Sequence, residues 1–276
     1  DLSIAGAGSA VIPGNLLLGL VKRLPDGPVT VSSMDNDQVQ FRAGRTRLHL
    51  DARPGDDFPP LVEVGTGGIQ IPQRALRTLL ERVLVASARE DEARPVLTGV
   101  LVQGYPDRLD ACATDGRRLA KASQELPEDP QRQFSAVVPI RAVKEVVRLL
   151  DDTDAPVHVQ FPETGLSQLA VRTASCSISA LLLEGTFPDF NRVIPRPESL
   201  VRTFRCKRAE LQQALRRLQL VAQEADSPNM VICDFQPEAV AVTARTPQLG
   251  GGEDLVPGVL HGEPLRVSFN AAYVLD

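Results

Sequence analysis

The chain has 276 residues, 43% hydrophobic and 24% charged, a balance that excludes disorder and fibrous repeats and supplies material for more than one domain core. The net charge of −5 speaks superficially against a nucleic-acid partner, but a polyanion responds to the local arrangement of cations, so each helix has to be read separately. No run approaches eighteen consecutive apolar residues, and Asp1-Leu2-Ser3-Ile4 opens with neither a basic nor a long apolar segment, so a cytoplasmic chain is expected, with no membrane partner.

In chain order, Ser9-Ala10-Val11-Ile12-Pro13 reads as a short strand running into a Leu/Val-rich helix, with Leu16, Leu17 and Leu20 inward and Lys22 opposite. Residues 46–50 alternate like a strand, and Gly65-Thr66-Gly67-Gly68 reads as a joint. A helix is expected over 73–86, with Leu76, Leu79, Leu80 and Val83 inward, Arg74 and Arg77 outward and Glu81 between them. Strands follow at 96–102 and 109–113, and Ser135-Ala136-Val137-Val138-Pro139 leads into a second helix over 140–150. Its Val143, Val146, Val147 and Leu150 share one face; Arg141, Lys144 and Arg148 form a basic stripe on the other, diluted by Glu145. Strands at 157–161 and 176–181 precede a second joint at Pro195-Arg196-Pro197. A third helix over 209–221 turns Leu211, Ala214, Leu215 and Leu218 inward and Gln212, Gln213, Arg216 and Arg217 outward. Its Leu220 points to the polar side with Val221 at the margin, which suits either a plain surface leucine or a subunit contact. Strands at 231–235 and 266–270 complete the reading.

The text repeats. Phe58-Pro59 returns as Phe187-Pro188, 129 positions on, and the strand ending at Pro13 returns as the one ending at Pro139, 126 positions on. The 73–86 helix is echoed by the 209–221 helix. The unit is therefore about 130 residues of α+β type, β-α-β-β-β used twice. The phase implies a first unit lacking its earlier helix and a third stopping inside its second helix: 1–67, a complete central unit 68–196, and 197–276.

Charged helix faces are ordinarily just solvated. Cations outward on four helices at corresponding repeat positions, with acids gathered in turns such as Asp151-Asp152-Thr153-Asp154, fit sequence-independent binding to a phosphate backbone. Cys112, Cys176, Cys206 and Cys233 form no C-x-x-C, and His49, His158 and His261 have no near partner, so neither zinc nor a disulfide framework is expected. Phosphate loops, Gly-x-Ser-x-Gly and triads are absent from the sequence, so no cofactor and no catalytic residue is expected.

Three stretches carry a family resemblance: Ala113-Thr114-Asp115-Gly116-Arg117-Arg118-Leu119-Ala120, Glu184-Gly185-Thr186-Phe187-Pro188-Asp189-Phe190-Asn191-Arg192-Val193-Ile194-Pro195, and Phe269-Asn270-Ala271-Ala272-Tyr273-Val274-Leu275-Asp276. They resemble the bacterial DNA polymerase III beta subunits, the sliding clamps. The resemblance implies a DNA clamp fold, helices lining the hole around duplex DNA and antiparallel sheets outside, with a head-to-tail homodimer ring for the full-length protein. It also implies a non-catalytic processivity role, with the polymerase III alpha subunit, the clamp loader and other clamp-motif proteins as partners. Such partners insert a short hydrophobic peptide into a cleft that matching motifs place at Leu97, Thr114, Gly116, Arg117, Arg118, Leu119, Pro188, Arg192, Val193, Asn270 and Tyr273. Arg117 stands where the family usually has His. DNA contacts are implied for Lys22, Arg74, Arg77, Arg89, Arg94, Arg141, Lys144, Arg148 and Arg217, and ring contacts for Leu48, Leu220 and Val221. The alternative from another class is a stand-alone peptide-binding module that forms no ring; Thr114-Asp115-Gly116 is in either case a natural tight turn.

Overall fold

Proline marks where three of the five described α-helices begin. Pro13, Pro72 and Pro139 each stand at a helix N-cap with φ of −57°, −58° and −55°, the latter two ending a strand, and turn the chain without an amide hydrogen to satisfy. In this computed structural model the structure describes residues 3–34, 37–58, 68–89, 94–126, 133–161, 168–223, 229–246 and 250–276. Most of the joint expected at 65–68 lies outside them. The chain divides into two compact units, Asp1–Glu63 and Val64–Asp276.

The first unit runs β1 (Ala10–Val11), α1 (Gly14–Val21), β2 (Val29–Met34), β3 (Gln38–Ala43), β4 (Thr46–Asp51) and β5 (Arg53–Pro54). β2, β3 and β4 form an antiparallel meander, and β1 pairs with β5. Val39, Phe41 and Ala43 are buried on β3. Here the helical wheel misleads: α1 has no buried residue, Leu17 and Leu20 are half-buried, and Leu16 is 49% exposed. The predicted inward face has no element laid closely over it among the described residues, and periodicity cannot say whether a partner surface is there.

The second unit begins β6 (Ile69–Pro72), α2 (Gln73–Leu84), β7 (Gly99–Gly104), β8 (Arg108–Thr114), β9 (Leu119–Glu125) and β10 (Phe134–Pro139). It continues α3 (Ile140–Leu149), β11 (Pro156–Gln160), β12 (Gln168–Arg172) and β13 (Ser177–Leu181). This is β-α-β-β-β twice over. Its strands form two antiparallel four-stranded sheets, β10-β7-β8-β9 and β13-β12-β11-β6. The remainder is β14 (Thr203–Cys206), α4 (Arg208–Ala222), β15 (Met230–Phe235), β16 (Ala239–Thr246), β17 (Gly250–His261), β18 (Leu265–Asn270) and α5 (Ala271–Leu275), with the sheet order β14-β17-β16-β15-β18. One expected strand is shorter than read: residues 95–98 form a 3-10 turn and β7 starts at Gly99. Pro95 opens the turn, and the Thr98 hydroxyl donates to the Pro95 carbonyl at 2.7 Å to close it.

The core follows the two periodicities. Leu76, Leu79, Leu80 and Val83 of α2 and Val143 and Val146 of α3 pack on Val100, Val102, Leu109, Ala111 and Ala113. Each such large side chain contributes roughly 1.5–3 kcal/mol on burial. The alternate residues of β7, β8 and β10, Leu101, Cys112 and Val137, face away and form a smaller core on the other side of the sheet, closed by Phe190. A separate core gathers Ala214, Leu215 and Leu218 of α4 with Val231, Val240, Val242 and Val256.

Candidate peptide cleft and nucleic-acid face

The turn between β8 and β9 is fixed by its own side chains. The Thr114 hydroxyl donates to the Arg118 carbonyl at 2.6 Å and accepts from the Gly116 N–H at 3.0 Å, while Gly116 takes φ +85°, a left-handed geometry that suits glycine. Asp115 Oδ1 accepts the backbone N–H of Arg117 and of Arg118, each at 2.9 Å. The Arg118 side chain then reaches out of the turn: Nε lies 3.2 Å from Asp115 Oδ2, Nη1 2.6 Å from Asp276 Oδ2, and the guanidinium 4.2 Å from the Tyr273 ring centre. Burial pulls the Arg118 pKa down, but Asp276 and Asp115 outweigh it, so the pKa lies above the ordinary arginine value. Asn270 caps the short helix α5, its side-chain oxygen accepting the Ala272 N–H at 3.0 Å. Thr114, Gly116, Arg118, Asn270 and Tyr273 are thereby drawn toward one place.

The second stretch expected to line the cleft is built around Phe190. Residues 190–192 form a 3-10 turn capped by Asp189, whose Oδ1 accepts the Asn191 N–H at 3.3 Å and whose Oδ2 lies 3.0 Å from Arg192 Nε. Phe190 is buried, while Arg192 and Val193 are exposed, Val193 at 69%. Leu119 connects this segment to the β8–β9 turn, because it packs on the small core that Phe190 closes. Pro188 and Arg117 are exposed, and Leu97 is buried at 5% exposure. The only sequence signal for the organising carboxylates is the Asp-x-x-Arg spacing at Asp115/Arg118 and Asp189/Arg192; Asp276 carries none.

The outward cations are exposed, Arg77 only partly, and are frequently paired. Arg74 Nε lies 2.8 Å from Asp152 Oδ1, Arg77 Nε 2.9 Å from Glu81, Arg148 Nη1 2.6 Å from Glu145, and Arg217 Nη2 2.6 Å from Asp254. The Arg77 pKa is raised, chiefly by its hydrogen bond to Glu81 and by that carboxylate's charge. Exposed pairs of this kind contribute about 0–1 kcal/mol, so a phosphate can displace the carboxylate at little cost. Arg141 and Lys144 are exposed on α3, Arg89 and Arg94 flank residues outside the described set, and Lys22 is exposed at the end of α1 in the other unit.

Family models for the DNA polymerase III beta subunit match here, the central domain over residues 70–189 and the C-terminal domain over 191–276. The beta sliding clamp of Vibrio cholerae is 32% identical over 272 residues, covering 98% of this chain and 72% of that protein. The chain belongs to the beta sliding clamp family. The Bacillus subtilis clamp is 30% identical over 283 residues and is likewise covered to 72%. Among solved structures, the Bacillus subtilis clamp superposes with a TM-score of 0.83 at 27% identity over 95% of this chain and 68% of that one. The Pseudomonas aeruginosa beta subunit gives 0.83 at 27% over 97% and 72%. The fold is thus the α+β clamp fold, and a clamp is a processivity factor with no catalytic step. In this clamp chain the central-domain match ends at Asp189 and the C-terminal match begins at Asn191, so the junction falls on the 3-10 turn at 190–192. Leu220 of the clamp is 70% exposed near the end of α4, and Val221 packs partly on the C-terminal core. Leu48, on β4 of the first unit, is 37% exposed.

Proposed function

We propose that this clamp, at full length, closes as two copies head to tail around duplex DNA and tethers the replicative polymerase, with repeat units at 1–67, 68–196 and 197–276 of this chain. Alignment of nearly the whole chain with beta sliding clamps carries this reading. DNA is held without base readout by Lys22, Arg74, Arg77, Arg89, Arg94, Arg141, Lys144, Arg148 and Arg217, and the weak pairing of several of these cations to nearby acids suits a ring that must slide. The polymerase III alpha subunit, the clamp loader and other clamp-motif proteins take turns at the cleft around Arg118, Leu119, Arg192 and Val193, presenting a short hydrophobic peptide. Leu220 and Val221 meet the Leu48 strand of the second copy. The protein works at the nucleoid.

Reversing Arg141, Lys144 and Arg148 to Glu together is expected to reduce retention on nicked circular duplex and to flatten its salt dependence, measured by gel filtration of loaded complexes. Retention equal to the parent at every salt concentration would reject the basic-helix assignment.

A further inference from the structure

The smaller outer core holds groups that do not line the cleft, and the inference drawn from them rests on the cleft reading above. Register places Leu101, Cys112 and Lys121 in one cross-strand row, with Gln103, Asp110 and Ser123 in the next. Asp110 is the charged side chain buried among the described residues, at 3% exposure. Its carboxylate takes Arg108 Nε at 3.1 Å and Lys121 Nζ at 3.3 Å, and Arg108 in turn lies 4.4 Å from the Tyr105 ring centre. Lys121 Nζ stands 5.5 Å from the ring centre of Phe190, within cation–π range.

Phe190 is the inward anchor of its segment, since the next residues of its 3-10 turn are Asn191 and the exposed Arg192. A cavity of about 500 Å³ opens beside it, lined by Gln103, Tyr105, Ser135, Phe187 and Phe190 among others, so the ring has room to shift on that side. A buried carboxylate carries a desolvation penalty that is offset only while its cations stay in place. Asp110 therefore fixes Lys121, and Lys121 bears on the ring from the β9 side, on the same strand face as Leu119.

We propose that Asp110 and Lys121 are positioning residues for peptide binding: they hold Phe190 in the outer core and so set Arg192 and Val193 against Leu119, without touching the peptide. The test uses the whole chain and a fluorescein-labelled Gln-x-x-Leu peptide, titrated by anisotropy. Lys121→Met keeps the aliphatic stem and removes the charge; binding measured well below the melting temperature is expected to weaken about three- to tenfold, and the melting temperature to fall, since Asp110 then keeps only Arg108. Lys121→Arg is expected to bind within about twofold of the parent, because it restores the cation over the ring. The pair Asp110→Asn with Lys121→Met leaves no underpaired carboxylate there and is expected to bind as weakly as Lys121→Met alone while recovering the melting temperature. Val193→Asp, at an exposed position, serves as the cleft control and is expected to abolish binding without unfolding the chain. Parent-like binding in Lys121→Met and in the double variant, with Val193→Asp inactive, overturns the positioning role and leaves the cleft standing. Parent-like binding in Val193→Asp as well removes the cleft assignment and this proposal with it. A loss in Lys121→Arg as large as in Lys121→Met, or one that disappears in the double variant as its melting temperature recovers, marks a purely structural role and also overturns it.

Discussion

Cysteine chemistry in this clamp is decided by burial rather than by sequence neighbourhood. Cys112 and Cys233 are buried, and removal from water pushes both thiols up to about 11 from the ordinary 9.0, with Lys121 pulling Cys112 part of the way back. Cys176 is exposed. Cys176 is therefore expected to react with Ellman's reagent at pH 8 within seconds to minutes, and Cys112 and Cys233 only after denaturant is added; rapid modification of Cys112 in the folded chain would contradict its burial. The fold holds the neutral thiols, so their contribution is complete below the unfolded value near 9.0 and is lost as the pH climbs toward 11, which urea titrations at pH 7 and pH 10 should register as lower stability at the higher pH. At the same scale, two Asp-x-x-Arg pairs hold the candidate cleft arginines, one of them anchored further by Tyr273 and Asp276. The spacing was readable in the chain; that Arg118 spans from the β8–β9 turn to α5 was not, since the two ends are 158 residues apart.

At the scale of elements, the helical wheels of α2, α3 and α4 match the burial found, because each has a sheet to pack on. That of α1 does not, because its apolar face lacks a close partner among the described residues. Alternation on β7, β8 and β10 serves two cores at once, and this leaves little room at the strand ends. A Cβ added at Gly99 would stand 2.8 Å from the Val138 carbonyl oxygen and 2.8 Å from side-chain carbons of Val137 and Leu183. Gly99→Ala is accordingly expected to destabilise the chain by about 1–3 kcal/mol, measured by chemical denaturation. Stability equal to the parent would mean that β7 and β10 part more easily than their pairing implies.

For the whole molecule, the proposed ring makes Leu220 a contact rather than a stray surface residue. Leu220→Asp is expected to leave folding stability within about 0.5 kcal/mol, as for an exposed position, while shifting sedimentation toward monomer. A monomeric parent under the same conditions would instead favour the stand-alone module. The sequence by itself determined the α+β class, the period of about 130 residues, the inward faces of three helices and the family, because amphipathic periodicity and the Thr-Asp-Gly and Phe-Pro stretches are local patterns. Only the tertiary structure decided which acids neutralise the helix cations, that Arg118 meets Tyr273 and Asp276, and that a buried Asp110 stands with Lys121 behind Phe190. Those facts depend on strand register and on contacts between residues far apart in the chain, and a hydrophobic pattern specifies which face of an element is buried without specifying what lies across from it.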